Sequence, residues 1–263
     1  MLIKVSVLSS GSSGNSIYID DGKHSFLIDA GLSGKKIINR MKDIDADPDN
    51  LDGIMITHEH KDHIKGVGIL SRRLDIPIFA NDGTWAACES ELGKLKDKHI
   101  KSFKGKFSFG DFDIKPISIS HDARAPVAYV VNRKNKKMVF ATDMGYVNDE
   151  LRDELDDIDL LLLESNHDID MLMSGSYPRF LKRRIRSDKG HLSNDAAAEL
   201  LPQLINGRCP QILLGHLSEE NNNPKVAYLT VENILKQKGL VVDKDLKLDL
   251  TYQHKPTKVY KIK

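Results

Sequence analysis

The residues best suited to chemistry in this sequence form a short run of imidazoles and one carboxylate, Thr57-His58-Glu59-His60-Lys61-Asp62-His63. The run comes directly after an apolar stretch that begins at Ile54, so the spacing predicts a turn whose side chains point inward together. Neutral imidazole and carboxylate groups are ligands that Zn²⁺, Mn²⁺ and Fe²⁺ all accept. The motif therefore predicts a site for borderline divalent metal ions.

Polar side chains also follow other apolar runs that have the composition of buried strands. The polar residues that end such runs are Asp29, His58, His121, Asp143, Glu164 and His216. In α/β architectures, side chains at strand ends converge on one rim of the sheet, where ligands bind. The sequence therefore predicts one polar site that is supplied by at least five strands.

The ligand candidates are too many for one tetrahedral ion and fit two. The predicted sets are His58, His60 and His121 for one ion, Asp62, His63 and His216 for the other, and Asp143 as the bridge. A two-metal site can ionise a bound water near neutral pH and clamp both oxygens of an in-line displacement. Isolated histidines elsewhere are expected to be ordinary surface residues.

The elements that must position these residues mix strands with helices, which predicts a sheet core with helices outside it. Helices are expected over Gly34–Met41, Ile64–Leu74, Asn194–Leu204 and Asn223–Lys238. The alternation in Phe107–Ile119 and in Val127–Asn132 predicts a hairpin. Because the chain has no repeat and no long linker, we expect a single domain over residues 1–263.

Composition excludes several classes of protein. Lys and Arg number 39 against 38 Asp and Glu, a net charge of +1, so contact with a polyanion requires a local basic patch. No apolar run approaches the roughly 20 residues of a membrane helix, so we expect no membrane insertion. Cys88 and Cys209 form no CxxC motif, which argues against a thiolate metal site and favours the cytoplasm.

The motif residues resemble those of the metallo-β-lactamase fold superfamily. Four further segments are similar, more narrowly, to the bacterial YycJ/VicX (WalJ) family: Ser10–Ser16, Asp29–Ser33, Glu164–Asp168 and Gly190–Asn194. The resemblance implies an α+β fold, a four-layer αββα sandwich with a dinuclear metal site, and 5′-to-3′ exonuclease activity on DNA. Asp29 is then expected to orient a ligand histidine through a hydrogen bond.

Glu164 and His191 resemble the paired carboxylate and histidine of nucleic-acid hydrolases of this fold. A histidine held by a carboxylate can protonate a leaving alkoxide, which a phosphodiester requires. We expect these two residues, with Asp62, to be catalytic. The plain alternative is that Glu164 caps a strand and His191 only neighbours a helix N-terminus.

A basic stretch, Arg179–Lys189, precedes His191 and contains Phe180. Cations bind phosphates and aromatic rings stack on bases, so we expect Arg183 and Arg184 to bind single-stranded DNA. A solvated charged face is the alternative.

The loop Ser9–Asn15, which follows the first predicted strand, has two glycines and several hydroxyls, which suit the approach of an anion. Ser12, Ser13 and Asn15 are its predicted substrate contacts, and a tight turn between strands is the alternative. His167 is either a phosphate contact or a structural histidine.

The residues therefore support a cytoplasmic dinuclear-metal phosphodiesterase with a metal-bridging hydroxide as nucleophile. The resemblance implies, more narrowly, a 5′-to-3′ exonuclease on single-stranded DNA. One alternative is a metallohydrolase of a small ester or cyclic phosphodiester. The other is a metal-binding regulatory protein of an envelope-stress signalling system. The sequence does not determine the oligomeric state, and a homodimer is one possibility, because several relatives of the family associate in pairs.

Overall fold

The computed structural model describes residues 2–204 and 209–263. The chain divides into two compact units. The first comprises residues 1–113, 123–126 and 252–263, and the second comprises residues 114–122 and 127–251. The single domain expected over residues 1–263 stays a prediction.

The first unit contains eight strands among the described residues, numbered here along the whole chain. They are β1 (Ile3–Ser9), β2 (Ser16–Asp20), β3 (Ser25–Ile28), β4 (Gly53–Met55), β5 (Ile78–Asn81), β6 (Ile100–Phe103), β7 (Phe107–Phe109) and β14 (Tyr260–Ile262). Seven of them form a sheet in the order β14-β1-β2-β3-β4-β5-β6. The strands from β3 to β6 are parallel, so the segments after β3 and β4 leave the same edge of the sheet.

Four α-helices of the first unit are α1 (Gly34–Lys42), α2 (Lys61–Ile64), α3 (Val67–Leu74) and α4 (Asp82–Leu92). Helix α1 confirms the expected helix and extends it by one residue. The Ser33 side chain caps it by accepting a hydrogen bond from the Lys36 backbone. Its apolar face, which includes Ile37 and Met41, is buried in the core of this unit.

The helix predicted over Ile64–Leu74 is confirmed over Val67–Leu74 and wrong at its start, because Ile64 ends the separate helix α2 and the chain is interrupted near Gly66. The Gly66 backbone N–H donates to the Ala30 carbonyl at 2.7 Å. A Cβ atom at Gly66 would lie 2.3 Å from the Leu32 carbonyl oxygen. The helix is therefore broken where its backbone packs directly on the segment that follows β3.

Six strands lie in the described residues of the second unit, and the first of them, β8, starts two residues before the boundary. They are β8 (Phe112–Ser118), β9 (Val127–Arg133), β10 (Lys136–Ala141), β11 (Leu160–Glu164), β12 (Gln211–Gly215) and β13 (Lys247–Leu250). Their order is β13-β12-β11-β10-β9-β8. The strands from β10 to β13 are parallel, with Ala141 paired to Leu163 and Glu164 paired to Gly215. The leucine run of β11 is buried along its whole length, as a strand covered on both faces requires.

The α-helices of the second unit are α5 (Asp149–Glu154), α6 (Ile169–Ser174), α7 (Arg179–Ile185), α8 (Asn194–Leu200) and α9 (Pro224–Gln237). Helix α8 is capped by Ser193 as expected, but it ends at Leu200 and continues as a 3₁₀ turn over Leu201–Leu204. Helix α9 confirms the predicted helix to within one residue at each end. None of the helices in the described part of the chain is long and apolar enough to cross a membrane.

The alternating stretch Phe107–Ile119 proves to be two strands rather than one arm of a hairpin. Gly110, between β7 and β8, adopts a left-handed backbone with φ of 55° and turns the chain there. The second arm is β9, which neighbours β8 in the sheet. The hairpin prediction was therefore right for β8 and β9 and wrong in its first boundary.

Candidate active site

In the first unit, the histidine motif occupies the turn between β4 and α2. His58 and His63 are buried, and their ring centroids lie 4.0 Å apart. His60, the residue before α2, has its Nδ1 atom 3.1 Å from Nε2 of His58. In the first turn of α2, Asp62 Oδ2 lies 3.5 Å from Nε2 of His63. The structure therefore brings together the four ligands that were predicted from this motif.

The buried carboxylate of Asp29, directly after β3, orients one of these imidazoles. Its Oδ2 atom lies 2.7 Å from Nδ1 of His63, and its Oδ1 atom accepts the Thr57 backbone N–H at 2.8 Å. Burial raises the pKa of Asp29 despite the opposing effects of His63 and Thr57. A carboxylate only accepts hydrogen bonds, so this contact places the hydrogen of His63 on Nδ1. The Nε2 atom then carries the lone pair.

Asn15 holds the same turn from the loop after β1. Its Nδ2 atom lies 3.0 Å from Nε2 of His63 and 3.2 Å from Oδ2 of Asp62. Its backbone N–H donates to the Asp62 carbonyl at 2.7 Å. Ser12 and Ser13 on the same loop are exposed. Asn15 thus has a structural role here, and the substrate contacts predicted for these three residues stay predictions.

In the second unit, the predicted residues lie at the carboxyl ends of neighbouring parallel strands. Asp143, Glu164 and His216 follow or end β10, β11 and β12, and with His191 they offer ligand atoms within 4.8 Å of one another. The Nδ1 atom of His216 lies 3.1 Å from Asp143 Oδ1 and 3.1 Å from Glu164 Oε1. His121, after β8, has Nε2 3.9 Å from Asp143 Oδ1. The register of the sheet therefore brings residues from distant parts of the sequence into one cluster.

Three of the predicted residues have a left-handed backbone. The φ angles are 59° at Asp29, 60° at Asp143 and 54° at His216. Non-glycine residues seldom adopt this conformation, which persists where the surrounding structure imposes it and is concentrated at functional sites. In each case the chain turns sharply just after a strand and directs a polar side chain into its cluster.

Glu164 is the central residue of the second cluster. It is fully buried, and its Oε1 atom lies 2.7 Å from Nδ1 of His191. Its Oε2 atom accepts the Met144 backbone N–H at 2.8 Å. Burial alone would raise its pKa, but the charges and hydrogen bonds of His191 and His216 lower it to about 2. For His191, burial lowers the pKa and the Glu164 carboxylate more than offsets that effect, so the net shift is upward.

Two other predicted histidines are buried in the second unit. The Nδ1 atom of His121 lies 3.4 Å from the Gly190 carbonyl, and burial lowers the pKa of His121. Burial also lowers the pKa of His167 to about 4. The Nδ1 atom of His167 has no hydrogen-bond partner within the described residues. The phosphate contact predicted for His167 stays a prediction.

The basic stretch before His191 forms α7, none of whose residues is buried. Arg184 donates from Nε to Asp122 Oδ2 at 2.8 Å, whereas Arg183 is exposed. The structure thus places both arginines on an exposed helix, as a contact with a polyanion requires.

Sequence reasoning gave no role to two residues that support the clusters. The Thr57 hydroxyl donates to Asp29 Oδ2 at 2.8 Å, and its own oxygen, Oγ1, lies 3.0 Å from Nδ1 of His58. Asn222 donates to the Ser165 carbonyl at 2.9 Å and to Asn194 Oδ1 at 2.9 Å, which fixes the segment after β11. The position of Thr57 beside the motif was a usable signal, but nothing in the sequence distinguishes Asn222 from its neighbours.

The donor sets fit divalent metal ions. In His63 and His216 the Nδ1 atom faces a carboxylate, and in His121 it faces a carbonyl oxygen. Metal-bound histidines have this arrangement, because it leaves Nε2 as the ligand atom and fixes the ring. Together with Asp62 and Asp143, these side chains offer nitrogen and oxygen ligands of the type that borderline divalent ions prefer.

Comparison with protein families shows that residues 24–213 match the beta-lactamase superfamily domain. With the two donor sets, this match defines a metal-dependent hydrolase of the metallo-β-lactamase fold and confirms the predicted fold class. Among solved structures, the metallo-β-lactamase fold protein YhfI of Bacillus subtilis has a TM-score of 0.73 over 100% of both chains at 18% identity. That likeness shows the shared fold.

The relatives narrow the assignment. Exodeoxyribonuclease WalJ of Streptococcus pneumoniae is 46% identical over 249 residues, which cover 93% of each chain. Exodeoxyribonuclease YycJ of Bacillus anthracis is 39% identical over 261 residues, which cover 98% of this chain and 99% of the relative. The chain therefore belongs to the WalJ/YycJ family of the β-lactamase superfamily, as the resemblance predicted.

Proposed function

We propose that this chain is an exodeoxyribonuclease that removes nucleotides from the 5′ end of single-stranded DNA. The names of its relatives support a DNA substrate. The observation that carries the proposal is the pair formed by Glu164 and His191, whose Oε1 and Nδ1 atoms lie 2.7 Å apart. Glu164 is fully buried, whereas the His191 side chain is 23% exposed, so the ring is accessible and its carboxylate partner is not.

His191 is the proposed general acid. A carboxylate at Nδ1 favours the protonated ring and fixes its orientation, so that Nε2 can give its proton to a leaving group. In the proposed reaction a water oxygen forms a new bond to phosphorus while the bond between phosphorus and the 3′ oxygen breaks, and the 3′ oxygen takes the proton from Nε2. A phosphodiester benefits from such an acid because its leaving alkoxide is a strong base.

The proposed metal ligands are those predicted from the sequence: His58, His60, Asp62, His63, His121, Asp143 and His216. When bound, divalent ions supply an activated water and offset charge on the phosphoryl oxygens. Asp29 holds His63 in the tautomer that can ligate. The number of ions, their identity as Zn²⁺, Mn²⁺ or Fe²⁺, and the division of the ligands between two ions stay predictions.

The remaining parts of the proposal concern contacts and context. Arg183 and Arg184 are proposed to bind the DNA backbone. The two cysteines among the described residues, Cys88 and Cys209, are free thiols, which suits the proposed cytoplasmic location. Association as a homodimer also remains a proposal.

The test is digestion of a 5′-phosphorylated single-stranded DNA with Mn²⁺, with the products resolved by mass. The Asp62→Ala protein is the control, and its circular dichroism spectrum must match that of the wild type. We expect the wild type alone to release mononucleotides from the 5′ end. Intact DNA with a metal-loaded wild type, together with fast hydrolysis of a small ester, would contradict the proposal.

A further inference from the structure

Helix α7 exposes an aromatic ring to solvent. The side chain of Phe180 is 68% exposed, the largest exposed fraction among the large apolar side chains of residues 2–204 and 209–263. Exposing an aromatic ring to water carries a free-energy cost when nothing covers it. The ring is therefore a candidate for contact with a ligand.

The spacing along α7 places this ring beside two guanidinium groups. Residues three and four positions apart share a helix face, so Phe180 lies on the same face as Arg183 and Arg184. Leu181 and Ile185 are four positions apart and only partly buried, and they lie on a different face of the helix. The outward face of α7 thus combines one aromatic ring with two cations.

The charge of this segment suits a polyanion. Residues 179–189 contain six Lys or Arg and one Asp, whereas the net charge of the whole chain is only +1. Lys182 and Arg184 are engaged by the protein itself, the first through the Met173 and Gly175 carbonyls and the second through Asp122. Arg183 makes no ion pair with any residue that the structure describes, so its charge is available to a phosphate.

Helix α7 is tied directly to the proposed acid. The His191 backbone N–H donates to the Ile185 carbonyl, the last residue of the helix, at 2.8 Å. A Cβ atom on the intervening Gly190 would lie 2.1 Å from that same carbonyl oxygen, so the approach depends on glycine. Phe180 is five residues from this end, about 7.5 Å along the helix axis. A strand bound on the outward face of α7 is therefore held close to His191.

We propose that Phe180 stacks on a base of a single-stranded DNA substrate while Arg183 binds a neighbouring phosphate, so that α7 selects unpaired DNA. This inference rests on the proposed function. Stacking on aromatic rings tolerates any base, because every base has a π face. A base inside a duplex is covered on both faces by its neighbours, so the same ring cannot stack on it.

The test is fluorescence anisotropy with the metal-loaded full-length protein in a His191→Ala background, which slows cleavage. One labelled strand carries ordinary bases, and a second strand of equal charge is abasic. We expect Phe180→Ala to weaken binding of the ordinary strand about tenfold and to leave binding of the abasic strand unchanged. Phe180→Trp should retain the wild-type affinity. Leu229→Ala, an exposed apolar position on α9, is the matched control and should change neither affinity.

Arg183→Ala separates the two contacts. It should weaken binding of both strands alike. The slope of log affinity against log salt concentration should decrease in magnitude by about 0.7, the value for one phosphate of a single strand. Equal losses on the ordinary and abasic strands in Phe180→Ala, or no loss on either, would overturn the stacking proposal. If Phe180→Ala changes the sedimentation coefficient of the protein but not its DNA binding, the stacking proposal is also overturned, since Phe180 would then belong to an interface between copies of the chain.

The nuclease proposal fails separately. A wild type that binds the ordinary strand through Phe180 but never cuts it with Mn²⁺ contradicts the proposed function and supports the stacking contact. Equal cleavage rates for the wild type and Phe180→Ala, on single strands and on duplexes alike, would contradict the stacking contact alone.

Discussion

The two units of the chain each contain a buried carboxylate that orients histidine side chains, but the two carboxylates differ in how many they hold. Asp29 contacts one imidazole, with its Oδ2 atom 2.7 Å from Nδ1 of His63. Glu164 contacts two, with its Oε1 atom 2.7 Å from His191 and 3.1 Å from His216. Each carboxylate also accepts a backbone N–H at 2.8 Å, from Thr57 and from Met144.

This difference separates two tasks, metal binding and proton transfer. In the proposed mechanism the partner of Asp29, His63, is a metal ligand, so Asp29 acts on metal binding alone. The partners of Glu164 are one proposed ligand, His216, and the proposed acid, His191. In the proposed mechanism, one buried carboxylate thus couples metal binding to proton transfer, and changes at the two positions should have different consequences.

Glu164→Gln should have the largest effect, because it alters both partners. Both Nδ1 atoms face the same oxygen, Oε1, whereas Oε2 accepts the Met144 backbone N–H. The amide has no negative charge, and its NH2 group would face that backbone N–H when its oxygen faces the two rings, so metal affinity should fall about 10- to 100-fold. Turnover at saturating metal should fall about 10²- to 10⁴-fold. Competition with a chelating dye measures the first and single-turnover cleavage measures the second. A variant that loses only one of the two properties would break the comparison between the units.

His191→Ala should affect one task only. Turnover should fall about 10²- to 10⁴-fold, while metal content and affinity stay at wild-type values. Metal analysis after dialysis and cleavage of single-stranded DNA provide the two measurements. His254→Ala, at an exposed position, is the control. Cleavage at the normal rate would remove His191 from the mechanism.

Asp29→Asn should have the converse effect. The amide nitrogen would face Nδ1 of His63 as a donor, which favours the tautomer that cannot ligate through Nε2. Metal affinity should fall about 10- to 100-fold, and excess metal should restore turnover. Asp45→Asn is a matched control, since Asp45 is exposed and has a φ of 57°. A loss of turnover that excess metal does not restore would contradict the separation of tasks.

Ser193→Ala should have the smallest effect, because Ser193 caps α8 without contacting either carboxylate. Its hydroxyl accepts the Ala196 backbone N–H at 3.2 Å, and loss of such a cap costs about 1 kcal/mol. Urea unfolding should show this decrease in the free energy of unfolding, and Ser193→Thr should recover most of it. A large change in turnover would show that the start of α8 positions the neighbouring His191.

The sequence predicted the first cluster better than the second for a physical reason. The motif from His58 to His63 is contiguous, so one turn is sufficient to bring its side chains together. The second cluster depends on the register of three parallel strands, which composition does not determine, and the contact of Glu164 with His216 was not foreseen. The left-handed backbone at Asp143 and at His216 is imposed by tertiary packing.

The predicted helix boundaries were wrong where the backbone packs closely on another segment. The break at Gly66 comes from its contact with Ala30, which is distant in sequence. Helix α7 was anticipated only as a basic stretch, because no buried face gives it a helical pattern of apolar residues.

The role of His191 as general acid is tested most directly by a DNA strand in which sulfur replaces the leaving 3′ oxygen of one linkage. A thiolate leaves without a proton, so the acid becomes unnecessary at that linkage. We expect His191→Ala and Glu164→Gln, both saturated with metal, to cleave the sulfur-substituted linkage within a few-fold of the wild-type rate, although both are severely impaired on ordinary DNA. Equal impairment on the two linkages would contradict the assignment of His191, held by Glu164, as the general acid.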